Sequence, residues 1–191
     1  IADTGAASVA FTGDFVSTAT STPKGIGLRI DGTGSTTTLG ANITASSQVV
    51  INDAIEVSGG DRTIDTSAGD ADVTITGGSA GFYASSGETN GLAIDAGTGS
   101  IDLGQTAGFG DNSGSGSASR VADLTVDGGS LTLNATADDI AGDFTLNTGT
   151  LDLGADFSAD GAIDLLSSGA VTLNADLTLT AGSMTLNGAI G

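Results

Sequence analysis

GSLTLNATADDIAGDFTLNTGTLDLGADF, residues 129 to 157, holds three triplets of one kind, Leu131-Thr-Leu133, Phe144-Thr-Leu146 and Leu151-Asp-Leu153, and a fourth, Leu124-Thr-Val126, stands just before it. An apolar-x-apolar triplet puts its two outer residues on one side of an extended strand and its middle residue on the other. Six further triplets continue the series: Leu92-Ala-Ile94, Ile101-Asp-Leu103, Ile163-Asp-Leu165, Val171-Thr-Leu173, Leu177-Thr-Leu179 and Met184-Thr-Leu186. Nine of the ten middle residues are Thr or Asp, the exception being Ala93, so one side is expected to be buried and the other wet.

Flanking residues are also constrained. The residue after the triplet is Asp95, Gly104, Asp127, Asn134, Asn147, Gly154, Asn174 or Asn187 in eight of ten cases. These types tolerate a left-handed backbone, so each short strand is expected to end in a sharp bend. Two positions before the triplet stands Gly99, Gly129, Gly142, Gly149, Gly161, Gly169 or Gly182. The unit reads G-x-apolar-[TD]-apolar-[NGD].

These units repeat at a longer interval. Leu131, Leu151 and Val171 are spaced by 20 and 20, and Leu124, Phe144 and Ile163 by 20 and 19. A period near 20 that holds two or three very short strands marks a solenoid. The single apolar residues Ile140 and Phe157, with the triplet that starts at Leu177, read as a third and weaker face. Stacking each strand on its equivalent one turn later predicts an all-β fold, a parallel β-helix with rungs of about 20 residues and a right-handed coil. A hairpin-built sandwich competes, but it asks for longer strands and regular Asn-Gly turns, and only Asn90-Gly91 and Asn187-Gly188 are of that kind.

The pattern is looser upstream, in Val9-Ala-Phe11, Ile26 to Ile30, Val49 to Ile51, Ile55-Glu-Val57 and Val73-Thr-Ile75. Residues 77–91 and 104–120 are turn-rich and lack alternation, so they are expected to be loop insertions in a single domain spanning 1–191. Disorder is the competing reading for a chain in which Gly, Ala, Ser, Thr and Asp supply 128 of 191 residues. Leu, Ile, Val and Phe supply 44, about 23%, just above the level at which charged chains fail to fold, and their ordered placement decides for a core.

Composition narrows the function. Four Lys and Arg stand against 23 Asp and Glu, a formal charge of -19, so neither phosphate backbones nor anionic membranes attract the chain. With no His and no Cys, the usual near-neutral base, the thiolate nucleophile and the common zinc, copper and haem ligands are missing. No apolar run is long enough to span a bilayer. The expectation is a protein that is not an enzyme, requires no cofactor, binds no nucleic acid and does not insert directly into membranes.

Residues 129–157 together with SGAVTLNADLTLTAGSMTLNGAIG, 168–191, resemble the β-strand repeats of large secreted bacterial surface adhesins, similar to filamentous haemagglutinin and autotransporter passenger segments. The resemblance is one of repeat grammar and carries no catalytic signature. It implies an extracellular fibre or matrix segment at the bacterial cell surface that works by adhesion or by forming structure. Its partners would be copies of itself, adjacent repeats, or surface polysaccharide. The absence of cysteine suits such an exported chain. The alternative is a calcium-dependent S-layer or biofilm-lattice module. Both ends of the chain follow the repeat grammar without a recognisable cap, which leads us to expect further repeats or end-to-end stacking.

Few residues are candidates for chemistry. Asp outnumbers Glu 21 to 2, and Asp bonds to nearby backbone in turns, so most of these carboxylates are expected in turns. Asp70, Asp72 and Asp111 are the candidates for calcium, as hard oxygen donors two apart that can converge in a loop. Asp138-Asp139 is the pair a polysaccharide lyase or hydrolase would use, but neighbours on a strand point to opposite sides. Phe82 and Tyr83 are the candidates for stacking on a sugar ring, weighed against a place in the core. The Thr at triplet centres form outward rows, which ordinary strand propensity explains and which an ice-binding surface would need in pairs. The sequons at Asn42 and Asn134 are expected by chance in a Thr-rich chain.

Overall fold

The structure is a computed structural model that describes residues 2–3, 8–18, 25–32, 35–76, 81–103, 120–133, 138–154, 156–174, 176–179, 182–187 and 189–190. Every strand pairing among these residues is parallel, and partners lie about one turn apart in sequence. The chain is a parallel β-helix with three faces visited in a fixed order. Face one carries Ile26–Ile30, Gln48–Ile51, Val73–Ile75, Ser100–Leu103 and Ala170–Leu173. Face two carries Val9–Phe11, Thr36–Leu39, Ala54–Val57 and Phe82–Ala84, and then Asp138–Ile140, Phe157–Ala159 and Leu177–Leu179. Face three carries Phe15–Ser17, Ile43–Ala45, Arg62–Asp65, Leu92–Asp95, Ile163–Leu165 and Met184–Leu186.

The expected repeat is borne out residue by residue. Leu131 pairs with Leu151 and Leu151 with Val171, while Leu124 pairs with Phe144 and Phe144 with Ile163. Outer triplet residues from Leu92 to Val171 are buried, at 2% exposure or less, and the middle residues reach the outer surface. Removing each such aliphatic side chain from water is worth about 1.5–3 kcal/mol, and the coils share one continuous core. The third face is real, but its register differs from the sequence reading for one residue. Phe157 aligns with Leu177 as expected, whereas Ile140 aligns with Ala159 and Asp138 with Phe157.

Two expectations need correction. The first concerns the bends. Asp70 is the one non-glycine residue with positive φ among those described, and none of Asp95, Asp127, Asn147, Gly154, Asn174 and Asn187 has positive φ. Strands Leu124–Leu133 and Phe144–Leu153 even run straight through the supposed corner, joining faces three and one into a single 15-stranded sheet. The Asp and Asn there serve side-chain bonds instead. Asn147 Nδ2 donates to Asp127 Oδ2 at 3.1 Å, and Asp95 Oδ1 accepts from the Gly97 amide at 2.9 Å.

The repeated glycines before the triplets are explained by close approach of coils, and among them only Gly182 also has positive φ. A Cβ on Gly149 would lie 2.4 Å from the Gly129 carbonyl oxygen, and one on Gly169 would lie 1.9 Å from that of Gly149. The second correction concerns residues 77–91. Phe82–Ala84 form a strand paired in register with Ala54–Val57, so this part of the expected loop is a rung of face two. Phe82 and Ala84 project inward and complete the core there, which the surrounding Gly and Ser conceal in the sequence. The expected loop at 104–120 lies outside the described residues except for Arg120, which pairs with Asp160.

Turn carboxylates do more than fold their own turns. Asn42, Gly91, Asp143, Ala162 and Asp176 each donate a backbone amide to a side chain one coil earlier, on Asp14, Asp61, Asp123, Asp143 and Asp156 respectively. Asn42 Oδ1 takes the Thr63 amide in the same way, at 3.0 Å. Each of these side chains therefore locks one coil onto the next. Losing such a bond costs about 1 kcal/mol, so Asp143→Ala should lower the urea midpoint measurably. Asp143→Asn should retain most of the stability, because Asn42 already fills the same role with an amide oxygen.

Candidate functional site

The sequence-level candidates are placed as follows. Asp70 Oδ1 accepts the Thr98 amide at 2.9 Å, and Asp72 Oδ1 accepts the Ser100 amide at 2.9 Å. Both are coil-locking residues of the kind just described. The described residues contain no group of three or more Asp, Glu, His or Cys placed to hold a metal ion, and Asp111 lies outside them. Phe82 has no exposed surface, and Tyr83 is 8% exposed with its hydroxyl 3.4 Å from Thr36 Oγ1. Neither ring presents a face to solvent, so sugar stacking on these two residues is corrected to packing. Asp138–Ile140 is a strand.

Two polar groupings escaped the sequence reading. Asp53 is buried at the corner between faces one and two, where Ser35 Oγ donates to Oδ1 at 2.8 Å and Thr37 Oγ1 to Oδ2 at 3.0 Å. Hydroxyl donors offset the loss of water around this carboxylate. The second grouping ties down the turn before Leu92. Glu88 Oε2 accepts the Gly59 amide at 2.8 Å and also a bond from Asn90, whose Nδ2 donates to the Val57 carbonyl at 3.0 Å.

Glu88 has a pH consequence. The Gly59 N–H first, then Asn90 and the Arg62 charge, hold its carboxyl below the usual glutamate range, against a smaller opposing effect of desolvation. A depressed folded-state value means that the contribution is complete above the unfolded value and is lost as pH falls through the folded one. The protection of the Gly59 amide, its exchange rate compared with the intrinsic rate at the same pH, should therefore fall on acidification below the ordinary carboxylate range. In Glu88→Gln that pH-dependent loss of protection should be absent.

The outer surface of face three carries the most distinctive geometry. Its outward row runs Thr63, Ala93, Thr125 and Thr145, in register from coil to coil. Ala93 breaks the row, and Gly91 leaves the same coil bare one position earlier in the outward column. Together they open a cleft of about 220 Å³, with Asp61 and Thr63 on the coil to one side and Asp123 and Thr125 on the coil to the other. Arg62 also borders it, but its Nε and Nη1 donate to the Leu39 and Asp61 carbonyls at 3.3 and 2.9 Å. The signal for this cleft was present in the sequence, since Ala93 is the one triplet centre that is neither Thr nor Asp.

No protein-family model, curated protein or solved structure matches the chain.

Proposed function

We propose that this chain is a non-enzymatic, structural and adhesive segment of an extracellular fibre or matrix protein at the bacterial surface. The observation that supports this reading best is the coil-on-coil ladder. Backbone bonds link successive coils on all three faces, and side-chain locks such as Asp123 to Asp143 and Asp143 to Ala162 reinforce them at the same corner. A rod built this way spreads load over many parallel bonds and needs neither disulfide nor metal to do so. Its outward rows of Thr and Asp present a long, regular, hydrated surface of the kind an adhesive stalk can display repeatedly. The high negative charge keeps neighbouring rods apart until a partner or a screening ion intervenes.

Electron micrographs of the full-length protein from its source test this reading. Thin fibres or stalks projecting from the cell surface are the expected result. A planar lattice that dissolves when calcium is chelated would replace it with the S-layer or biofilm-lattice reading.

A further inference from the structure

Asn90-Gly91 is one of two Asn-Gly pairs in the chain, and it sits where three coils meet. Such a pair carries its own chemistry. Glycine has no Cβ to obstruct the approach, so its backbone nitrogen attacks the side-chain carbonyl carbon of a preceding asparagine with the least hindrance. The Gly91 N–H first loses its proton to hydroxide. A bond then forms from Gly91 N to Asn90 Cγ, the Cγ–Nδ2 bond breaks, and the nitrogen leaves as ammonia. Water opens the resulting five-membered imide at either carbonyl, leaving aspartate or isoaspartate at position 90.

The structure holds every group in this reaction. Gly91 N donates to Asp61 Oδ1 at 2.8 Å, so removing its proton would set an amide anion against a carboxylate. Across the same peptide bond, the Asn90 carbonyl accepts the Ala122 amide at 2.9 Å. The leaving group is fixed as well, because Asn90 Nδ2 donates to the Val57 carbonyl at 3.0 Å and to Glu88 Oε2. Asn90 is 6% exposed, which keeps hydroxide and water away. Bringing Gly91 N onto Asn90 Cγ moves both groups, and so breaks bonds to the coil before and to the coil after.

The product does not fit the place the asparagine leaves. A carboxylate at position 90 faces the Val57 carbonyl and the Glu88 carboxylate with no proton to give to either, and a buried charge without donors is costly. Isoaspartate also adds a carbon to the main chain just before the strand Leu92–Asp95.

We infer that Asn90-Gly91 is a deamidation site gated by the coil locks: closed coils suppress the reaction, and a coil that opens here is converted to a form that does not close again. Asp61 is the positioning residue that keeps the Gly91 proton in place. This holds whatever the rod adheres to.

The test is peptide mass mapping of the full chain kept at mildly alkaline pH, beside a synthetic peptide of residues 86–95. Conversion at position 90 is expected to be at least about a hundredfold slower in the folded chain, since it waits for local opening against several bonds. Asp61→Ala should speed it about fivefold by freeing the Gly91 amide, and Asp61→Asn should keep the slow rate, as the Asn42 oxygen holds the Thr63 amide. Both variants remove the charge, so the lost acceptor alone separates them. Asp143→Ala removes a lock of the same kind two coils further on and should leave the rate at position 90 unchanged although it lowers the urea midpoint. Asn90→Asp reproduces the aspartate product and should lower the protection of the Gly59 and Ala122 amides about tenfold at neutral pH. A folded chain that deamidates as fast as the peptide, no acceleration in Asp61→Ala, equal acceleration in Asp61→Ala and Asp143→Ala, or undiminished protection in Asn90→Asp would each overturn the inference.

Discussion

Leu133→Asp is expected to unfold the coils around it, whereas Thr132→Ser, one residue away, should change stability by no more than about 0.5 kcal/mol. Leu133 has no exposed surface and lies in register between Leu103 and Leu153, with apolar neighbours from the other faces completing the core. An aspartate there has neither water nor a basic partner, and the chain has only four Lys and Arg in all. Such an uncompensated buried charge costs several kcal/mol, a large share of the 5–15 kcal/mol that typically holds a domain together. Thr132 points outward, where a hydroxyl of similar size suffices. Thr132→Asp should fall between the two, because its ladder neighbours are Asp102 and Asp152 and like charges directly opposite one another repel. Chemical denaturation of the three variants, followed by circular dichroism, gives the ranking.

Gly149→Ala should produce the second large effect, and through a different cause. The added methyl carbon would sit 2.4 Å from the Gly129 carbonyl oxygen, closer than any ordinary contact, and the obstacle is backbone that cannot swing aside. Moving two coils apart to admit it strains the ladder on either side, at a cost of about 1–3 kcal/mol. Gly13→Ala is the matched control. Nothing lies within 4 Å of its Cβ position and its φ is not positive, so that change should be neutral or stabilise by about 0.4–1 kcal/mol through the unfolded state. If both alanines cost the same, the repeated glycines would owe their presence to backbone conformation and not to coil spacing.

The glycines illustrate what a sequence can and cannot convey. Their recurrence two positions before the triplets was visible, but one letter stands equally for a left-handed turn and for a missing Cβ, and here the second applies at all of them, with the first added only at Gly182. Triplets such as Leu131-Thr-Leu133 were legible because two apolar residues flanking a polar one define a period without help from context. Ile140 was harder: a single apolar residue fixes a face but not a register, and it was placed two residues away from its true partner, Ala159. Phe82–Ala84 was missed because Tyr83, its outward residue, is itself large and apolar in body, which erases the alternation. The coil-locking role of Asp61, Asp123 and Asp143 could not be read locally, since the amide each one binds lies 19 to 30 residues further along. The Asp70 and Asp72 carboxylates looked like ion ligands for the same reason, with their actual partners 28 residues away.

The central claim, that positions one coil apart stand directly above one another, is best measured by distances between spin labels along one outward row. Thr74, Asp102, Thr132, Asp152 and Thr172 form consecutive rungs of face one, and a chain without cysteine accepts labels at chosen sites only. Labels at Thr132→Cys and Thr172→Cys should lie about 10 Å apart, and those at Thr74→Cys and Thr172→Cys about 19 Å apart, since each rung adds about 4.8 Å. A separation that grows in proportion to the number of intervening coils is the predicted result. Distances that do not scale with coil number, or a pair from residues 74 and 172 on opposite sides of a compact body, would contradict the parallel β-helix and everything argued from it.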